Sequence, residues 1–507
     1  FTQKTAYEIG VRLVGSEMCI RDSPDTLYHR ATLDPRLGYR VRGRRGDELY
    51  LSFCVYGLRG RRNAILANAC DDELQFAENG VEQKQKGITM TSPRAQPAFE
   101  ELSFIVDDYQ PTRLQVLGSQ QVEYGTEGWL NLVRDYLVPR FAERRDSLRG
   151  IRVAMDETYT HAPPHLEFPE GEAAMHIVID DGELTVSAGR LENPDLRITG
   201  NYDLGAPMYT GVYEKMPERR ERLYREITHR HGDVFEVTGT LPSNPAILEV
   251  MEGMHDHVAR HTKLNPDLDH RIANLGMTEH LARIEEDGYT VIEDAISEAY
   301  AEEIHQELER HFQDQPMEGV RSAAMLLQRG PIFEEMALHP YVFGLHQKLC
   351  GPDMNLAHYI GSSKMAGADT HQMHNDSPHP APGTEGACFD CTAVWAISDF
   401  GPDDGPTLVV PGSHKLNRVP DADAIERAVK IEMPRGSIAM WHGALWHGAA
   451  IRTAPGPRIA VHHTHVRGFG RTFDNYLHID QAILTRNPPE IATSVSYTHL
   501  RAHETDS

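Results

Sequence analysis

No stretch of this 507-residue chain approaches the eighteen or so consecutive apolar residues that a membrane helix needs, so no helical span is expected. Positive charge is short: 50 Lys and Arg stand against 75 Asp and Glu, a formal net charge of −25. Phosphate backbones call for a cationic face, so nucleic acid is not an expected partner, and the acidity reads as a solvated surface. Cysteine is scarce as well, and 6 residues in so long a chain make no disulfide framework. Cys388 and Cys391 form one CxxC inside an apolar run. A structural zinc site needs a second pair, so these two are expected to be buried thiols. What remains is ordinary soluble composition, 40% hydrophobic and 25% charged, over a length that calls for several cores. A cytoplasmic location is the expectation.

The ends differ from the rest. Residues 1–23 and 493–507 resemble translated sequencing-adapter peptides and are set aside from fold reasoning, with the natural chain expected to extend further at both ends. Residues 24–164 are expected to form a β-rich, sandwich-like domain of unknown function. Tyr39 to Gly43 alternates, Arg44 to Asp47 turns and Leu49 to Phe53 alternates again, a hairpin pattern. Strands are expected at 103–106 and 113–117, and an apolar stripe from Trp129 to Phe141 predicts a helix. The Pro- and His-rich segment 158–169 reads as a linker.

A small α/β domain is expected over 165–265. Met175 to Ile179, the turn Asp180-Asp181-Gly182 and Leu184 to Ser187 predict a hairpin. Asn193-Pro194-Asp195 introduces a strand, and 235–239 leads into a helix from Pro245 to about Arg260. This order resembles the sterol carrier protein type 2 domain. The resemblance implies an apolar cavity, with Met175, Ile177, Leu196, Ile198, Leu204 and Met208 as its expected lining. The alternative is that these residues fill a solid core.

Lys263 to His270 is polar and reads as a second linker. The last domain, 275–492, opens with a short strand at 287–293 and a helix that puts Ile296, Tyr300, Ile304 and Leu308 on one face. A helical layer followed by antiparallel strands predicts a double-stranded β-helix, a jelly roll. The whole is therefore expected to be a multidomain α+β chain.

The chemistry-bearing residues lie in this last domain. His374 and Asp376, two apart on a strand, point to one side and can hold one metal. His447, in Trp446-His447-Gly448, offers the second imidazole. Two His and one carboxylate on one face are the facial triad of Fe(II) oxygenases. An HxD alone is weak in a chain with 28 His, but the context sharpens it. Arg458, eleven residues after His447, can grip a carboxylate through two parallel hydrogen bonds. Between the ligand segments stands Asp404-Gly405-Pro406-Thr407, running on to Pro411-Gly412-Ser413-His414.

These elements, in this order, resemble the phytanoyl-CoA dioxygenase family over about residues 277–490. The resemblance implies Fe(II) on His374, Asp376 and His447, and 2-oxoglutarate held at its far carboxylate by Arg458. Gln372 and Thr407 are further candidates to touch the cosubstrate. Dioxygen and a small, hydrophobic or lipid-like molecule would be the partners, and hydroxylation the reaction. The family often places Asn five residues after the distal His, where this chain has Arg452. Relatives that halogenate lack the carboxylate ligand, and Asp376 excludes that reading. His414, His442, Trp395 and Trp441 are expected to be structural, and His462, His463 and His465 are not expected to share an ion. Two other readings stay open, a lipid carrier with a vestigial barrel and a different cupin-like metal enzyme.

Overall fold

The computed structural model describes residues 121–495, apart from 215, 242, 369–371 and 378–385, together with the backbone of five short strands before them. The chain divides into two units, 1–111 and 112–507. In the first, β1 (Val11–Val14), β2 (Glu17–Arg21) and β3 (Tyr28–Thr32) form an antiparallel sheet. There β4 (Tyr39–Val41) pairs with β5 (Leu51–Phe53), Tyr39 opposite Phe53, the pairing the hairpin pattern predicts. The strands expected at 103–106 and 113–117 lie outside the described residues.

The second unit begins with a helix laid on a sheet. In α1 (Glu127–Arg144) the Thr126 side chain caps the first turn by accepting from the Trp129 amide, and Trp129, Leu130, Val133, Leu137 and Phe141 are buried. They share a core with β6 (Arg152–Thr160), β7 (Ala173–Asp180), β8 (Glu183–Ala188) and β9 (Leu196–Asn201), which with β10 (Glu236–Gly239) form a sheet ordered β10-β9-β6-β7-β8. The β7–β8 turn takes positive φ at Asp181 (46°) and Gly182 (82°), as a tight hairpin requires. β6 pairs antiparallel with β7 and parallel with β9, so residues 152–160, which fall in the expected first domain and are not predicted as a strand, are central to this sheet. The reason it escapes detection is burial on both sides. Val153 to Asp156 are buried in succession, which erases the period-two signal. The expected linker at 158–169 is instead the end of β6 and two 3-10 turns leading to β7. The helix expected over 245–260 is two pieces, Pro245–Met251 and Met254–Ala259, parted at Gly253, whose φ is 74°. A further helix, α2 (Pro217–His231), ties this region to the link between the helices Gln481–Thr485 and Pro489–Ser494: Arg219 donates to the Arg486 carbonyl at 3.0 Å and to Asn487 at 2.6 Å.

From residue 268 onward helices back a two-sheet core. The large sheet comprises β11 (Tyr289–Ile292), β12 (Val320–Ala324), β13 (Asn355–Lys364), β14 (Asp390–Ala396), β17 (Ile438–His442) and β19 (Arg458–Val466), ordered β11-β17-β14-β19-β13-β12. The small sheet is β16-β15-β18, with β15 Thr407–Val409, β16 Val429–Ile431 and β18 His447–Ala449. Alternation along β14 shows the layering. Ala393 and Trp395 join a core with α3 (Glu298–Phe312), whereas Val394 and Ala396 join one with Val409 and Ile431 of the small sheet. Among the described residues no helix is long and apolar enough to cross a membrane.

Candidate functional site

Three side chains the sequence singles out meet at the edge of the small sheet. The turn Gly443–Trp446 carries the chain from β17 of the large sheet to β18 of the small one. It is pinned there: the Trp446 amide donates to the Ser413 hydroxyl at 2.8 Å and the Val410 amide to the Trp446 carbonyl at 2.9 Å. His447, opposite Val409 of β15, exchanges two 2.8 Å amide–carbonyl bonds with His374. His374 therefore sits on a single antiparallel bridge, not on the regular strand that the sequence suggests. The Asp376 amide donates to the Gly443 carbonyl at 2.8 Å, so Asp376 is aimed by the β17–β18 turn rather than by strand alternation.

The ligand atoms of His374, Asp376 and His447 all lie within 4.8 Å of one another. One Asp376 oxygen is 3.7 Å from Nε2 of each imidazole. An ion bound at about 2.0–2.2 Å spaces adjacent ligands about 3 Å apart, so the set needs only a small contraction to close on one. Nδ1 of His374 is 2.8 Å from the Gln372 carbonyl and Nδ1 of His447 is 3.0 Å from the Leu445 carbonyl. A carbonyl only accepts, so each Nδ1 carries the proton and each Nε2 presents its lone pair. His447 is buried, while His374 and Asp376 are exposed, so the site opens to one side. The buried Trp441 ring lies 5.0 Å from His447 and walls the other.

Arg458 is buried at the start of β19. It donates to the Gly405 carbonyl, on the segment that leads into β15, and lies 4.4 Å over the Phe400 ring. Its Nε has no hydrogen-bond partner among the described residues. Burial, with repulsion from Arg452, lowers its pKa to about 10. Arg452 has its own work: it pairs with Asp404 and donates to the Pro455 and Gly456 carbonyls at 2.9 Å each, fixing the loop that leads to Arg458. Thr407 is buried on β15 opposite Ala449. Gln372 is exposed, and its carbonyl orients His374.

Sequence reasoning missed two residues here. Asp390, at the head of β14, accepts from the Ser377 hydroxyl, and burial plus repulsion from Asp376 pushes its carboxyl up to about 7. Lys364, buried on β13 directly opposite Arg458, donates to the Ala450 carbonyl at 3.2 Å. Neither belongs to a spacing pattern; only the register brings them in.

His414 stacks on His442 at 5.2 Å and meets the Glu285 carbonyl. His463 and His465 are buried with His346, whose ring nitrogen is 2.8 Å from His465, and burial pushes all three well below the ordinary imidazole range. Cys388 and Cys391 are buried free thiols, with Cys391 Sγ 3.3 Å from that of Cys350.

The middle region holds a cavity of about 400 Å3. Met175, Ile198 and Met208 line it, but Ile177 and Leu196 pack in the sheet core and Leu204 against the core of the two-sheet region.

Comparison with known proteins bears on the barrel. Residues 284–460 match the family model described as phytanoyl-CoA dioxygenase (PhyH), a span that contains His374, Asp376, His447 and Arg458. Uncharacterized protein Rv1501 of Mycobacterium tuberculosis is 32% identical over 118 residues, 23% of this chain and 42% of its own length. Dioxygenase af480 of Aspergillus fumigatus is 23% identical over 193 residues, 35% of this chain and 62% of its own length. The chain thus spans less than two thirds of either relative. HygX from Streptomyces hygroscopicus, solved with nickel and 2-oxoglutarate bound, aligns with a TM-score of 0.35 at 19% identity, over 39% of this chain and 89% of that one.

Proposed function

We propose that the region matching the phytanoyl-CoA dioxygenase family is an Fe(II)- and 2-oxoglutarate-dependent dioxygenase that hydroxylates a small, hydrophobic molecule. The observation that carries this reading is the triad: two Nε2 atoms and one carboxylate oxygen within 4.8 Å, with both Nδ1 protons committed to carbonyls. That donor set fits a first-row divalent ion and leaves positions open on the exposed side.

When bound, iron with 2-oxoglutarate and dioxygen supplies oxidation of an unactivated C–H bond, releasing succinate and carbon dioxide. The chain's own residues do the positioning. His374, Asp376 and His447 hold the ion, and the Gln372 and Leu445 carbonyls fix the imidazole tautomers. Arg458 takes the distal carboxylate of 2-oxoglutarate; its permanent charge, in a buried place, is what a dianionic cosubstrate requires. Gln372 and Thr407 are proposed to flank that cosubstrate. Trp441, buried beside His447, keeps water from one side of the ion.

The test uses the purified full chain, loaded anaerobically with Fe(II) and then given 2-oxoglutarate and air. Stoichiometric iron and succinate release, both lost in Asp376→Ala, are expected. Iron bound without affinity for 2-oxoglutarate would transfer the site to another cupin-like chemistry. Absence of both would leave a carrier with a vestigial barrel.

A further inference from the structure

The middle-region cavity is open to solvent at one end and carries an acid inside. Its size falls in the range of small-molecule pockets, a few hundred Å3. The lining is mostly apolar or aromatic, including Met175, Ile198, Met208 and Val258. At the mouth, Val237 is 60% and Tyr224 45% exposed, large apolar groups that no part of the described chain covers. Set among them is Glu157, on β6.

Among the described residues, Glu157 receives one hydrogen bond, from the Tyr124 hydroxyl at 3.3 Å. An ionised carboxylate offers about four acceptor positions, so most of its capacity is unspent. The other acid of the lining is committed elsewhere: Asp256 accepts from the Tyr213 amide at 2.8 Å and pairs with His255. Arg220, the lining's one guanidinium, is exposed and belongs to the mouth. Around Glu157 the walls are aromatic. Tyr124 stacks edge-on with Tyr159 at 4.6 Å and lies 5.3 Å from Tyr209. Rings of this kind present negative faces that also favour a cation.

We propose that this cavity binds an apolar molecule ending in a protonated amine, its hydrocarbon against Met175, Ile198, Met208 and Val258 and its head group on Glu157. Burial raises the Glu157 carboxyl above its ordinary range, against the opposing pull of His255 and of the Tyr124 hydrogen bond, a cost that an ammonium in contact would relieve. The chain's acidity favours approach of a cation. A fatty carboxylate would instead set its charge against Glu157 or stop at Arg220. This site stands whether or not the barrel holds iron, because none of its residues belongs to the barrel.

The experiment is calorimetric titration of the full chain with decylamine and, separately, decanoate. Charge-assisted hydrogen bonding predicts tighter binding of the amine by about tenfold or more. Glu157→Gln should bring the two affinities together, and Met208→Trp, which fills the cavity, should abolish both. Equal affinities in the wild type, or no binding of either, would overturn the proposal. So would an amine preference that survives in Glu157→Gln. If that variant does not fold, the wild-type preference and its loss in Met208→Trp decide the matter alone.

Discussion

The barrel site and the middle-region cavity are built by opposite means. At the triad, the backbone does the aiming. Paired amide–carbonyl bonds join His374 to His447, a third fixes Asp376 to Gly443, and two carbonyls hold the imidazole protons. In the cavity, side chains do the aiming: Tyr124, Tyr159, Tyr202 and Tyr209 brace one another ring to ring, and Glu157 sits among them with one hydrogen bond. A site whose atoms hang on main-chain bonds is narrow in what it accepts, since a ligand atom that moves loses a coordinate bond. A site of stacked rings is broad, since hydrophobic contact has no direction.

That contrast has its sharpest consequence at Asp376. Asp376→Ala removes one of three ligands, and no neighbouring group can replace a bond of about 2 Å. Iron loading and succinate release should fall by at least a hundredfold, while decylamine affinity of the same variant stays at the wild-type value. Metal analysis and calorimetry on one preparation read both. Loss of amine binding in this variant would mean the two regions are one coupled site, and the comparison would collapse.

The same contrast explains what could be read beforehand. That His374, Asp376 and His447 come together was legible because metal chemistry demands particular residue types in a particular order, and the segment 404–414 lies between them. How they are aimed was not legible, because a single bridge and a turn between sheets leave no periodic trace. The hairpin at β7–β8 was legible from Asp181-Gly182, whose backbone demands positive φ. β6 was not, because it is covered on both faces and reads as neither strand nor helix. Glu157 and Asp390 escaped for the same reason. A buried acid looks like any other acid until its neighbours are known.

Arg458→Lys is the next largest effect. An ammonium keeps the charge but not the planar fork, so 2-oxoglutarate affinity should weaken by about 10- to 100-fold with iron affinity unchanged. Titration with 2-oxoglutarate under anaerobic conditions measures it. Unchanged affinity would remove Arg458 from the cosubstrate site and point to Lys364, its neighbour across β13.

Acid should act on the barrel through its buried imidazoles. Neither ring nitrogen of His463 has a hydrogen-bond partner among the described residues, and burial holds its pKa well below 6.5 in the folded state. The unfolded chain therefore binds the extra proton as pH falls below about 6.5, and folded stability is lost in that direction. His463→Phe deletes this term. Its stability relative to wild type should rise by about 1.4 kcal/mol for each pH unit below 6.5, until the folded pKa is reached. Denaturant melts of both proteins at pH 7, 6 and 5 give the slope, and parallel curves would show that His463 is protonated in the fold.

The smallest expected effect lies in the cavity wall. The Tyr209 hydroxyl is buried and has no hydrogen-bond partner among the described residues, although its ring is packed against Tyr124, Tyr159 and Tyr202. Burying a hydroxyl without a partner costs about 1–3 kcal/mol, and phenylalanine keeps the ring while deleting the cost. Tyr209→Phe should therefore be as stable as the wild type or more stable by about 1 kcal/mol, with a Tm rise of a few degrees at most. A loss of stability instead would show that Tyr209 is hydrogen-bonded in solution. The aromatic wall would then be aimed by polar contacts, as the triad is, and the contrast between the two regions would narrow to their ligands alone.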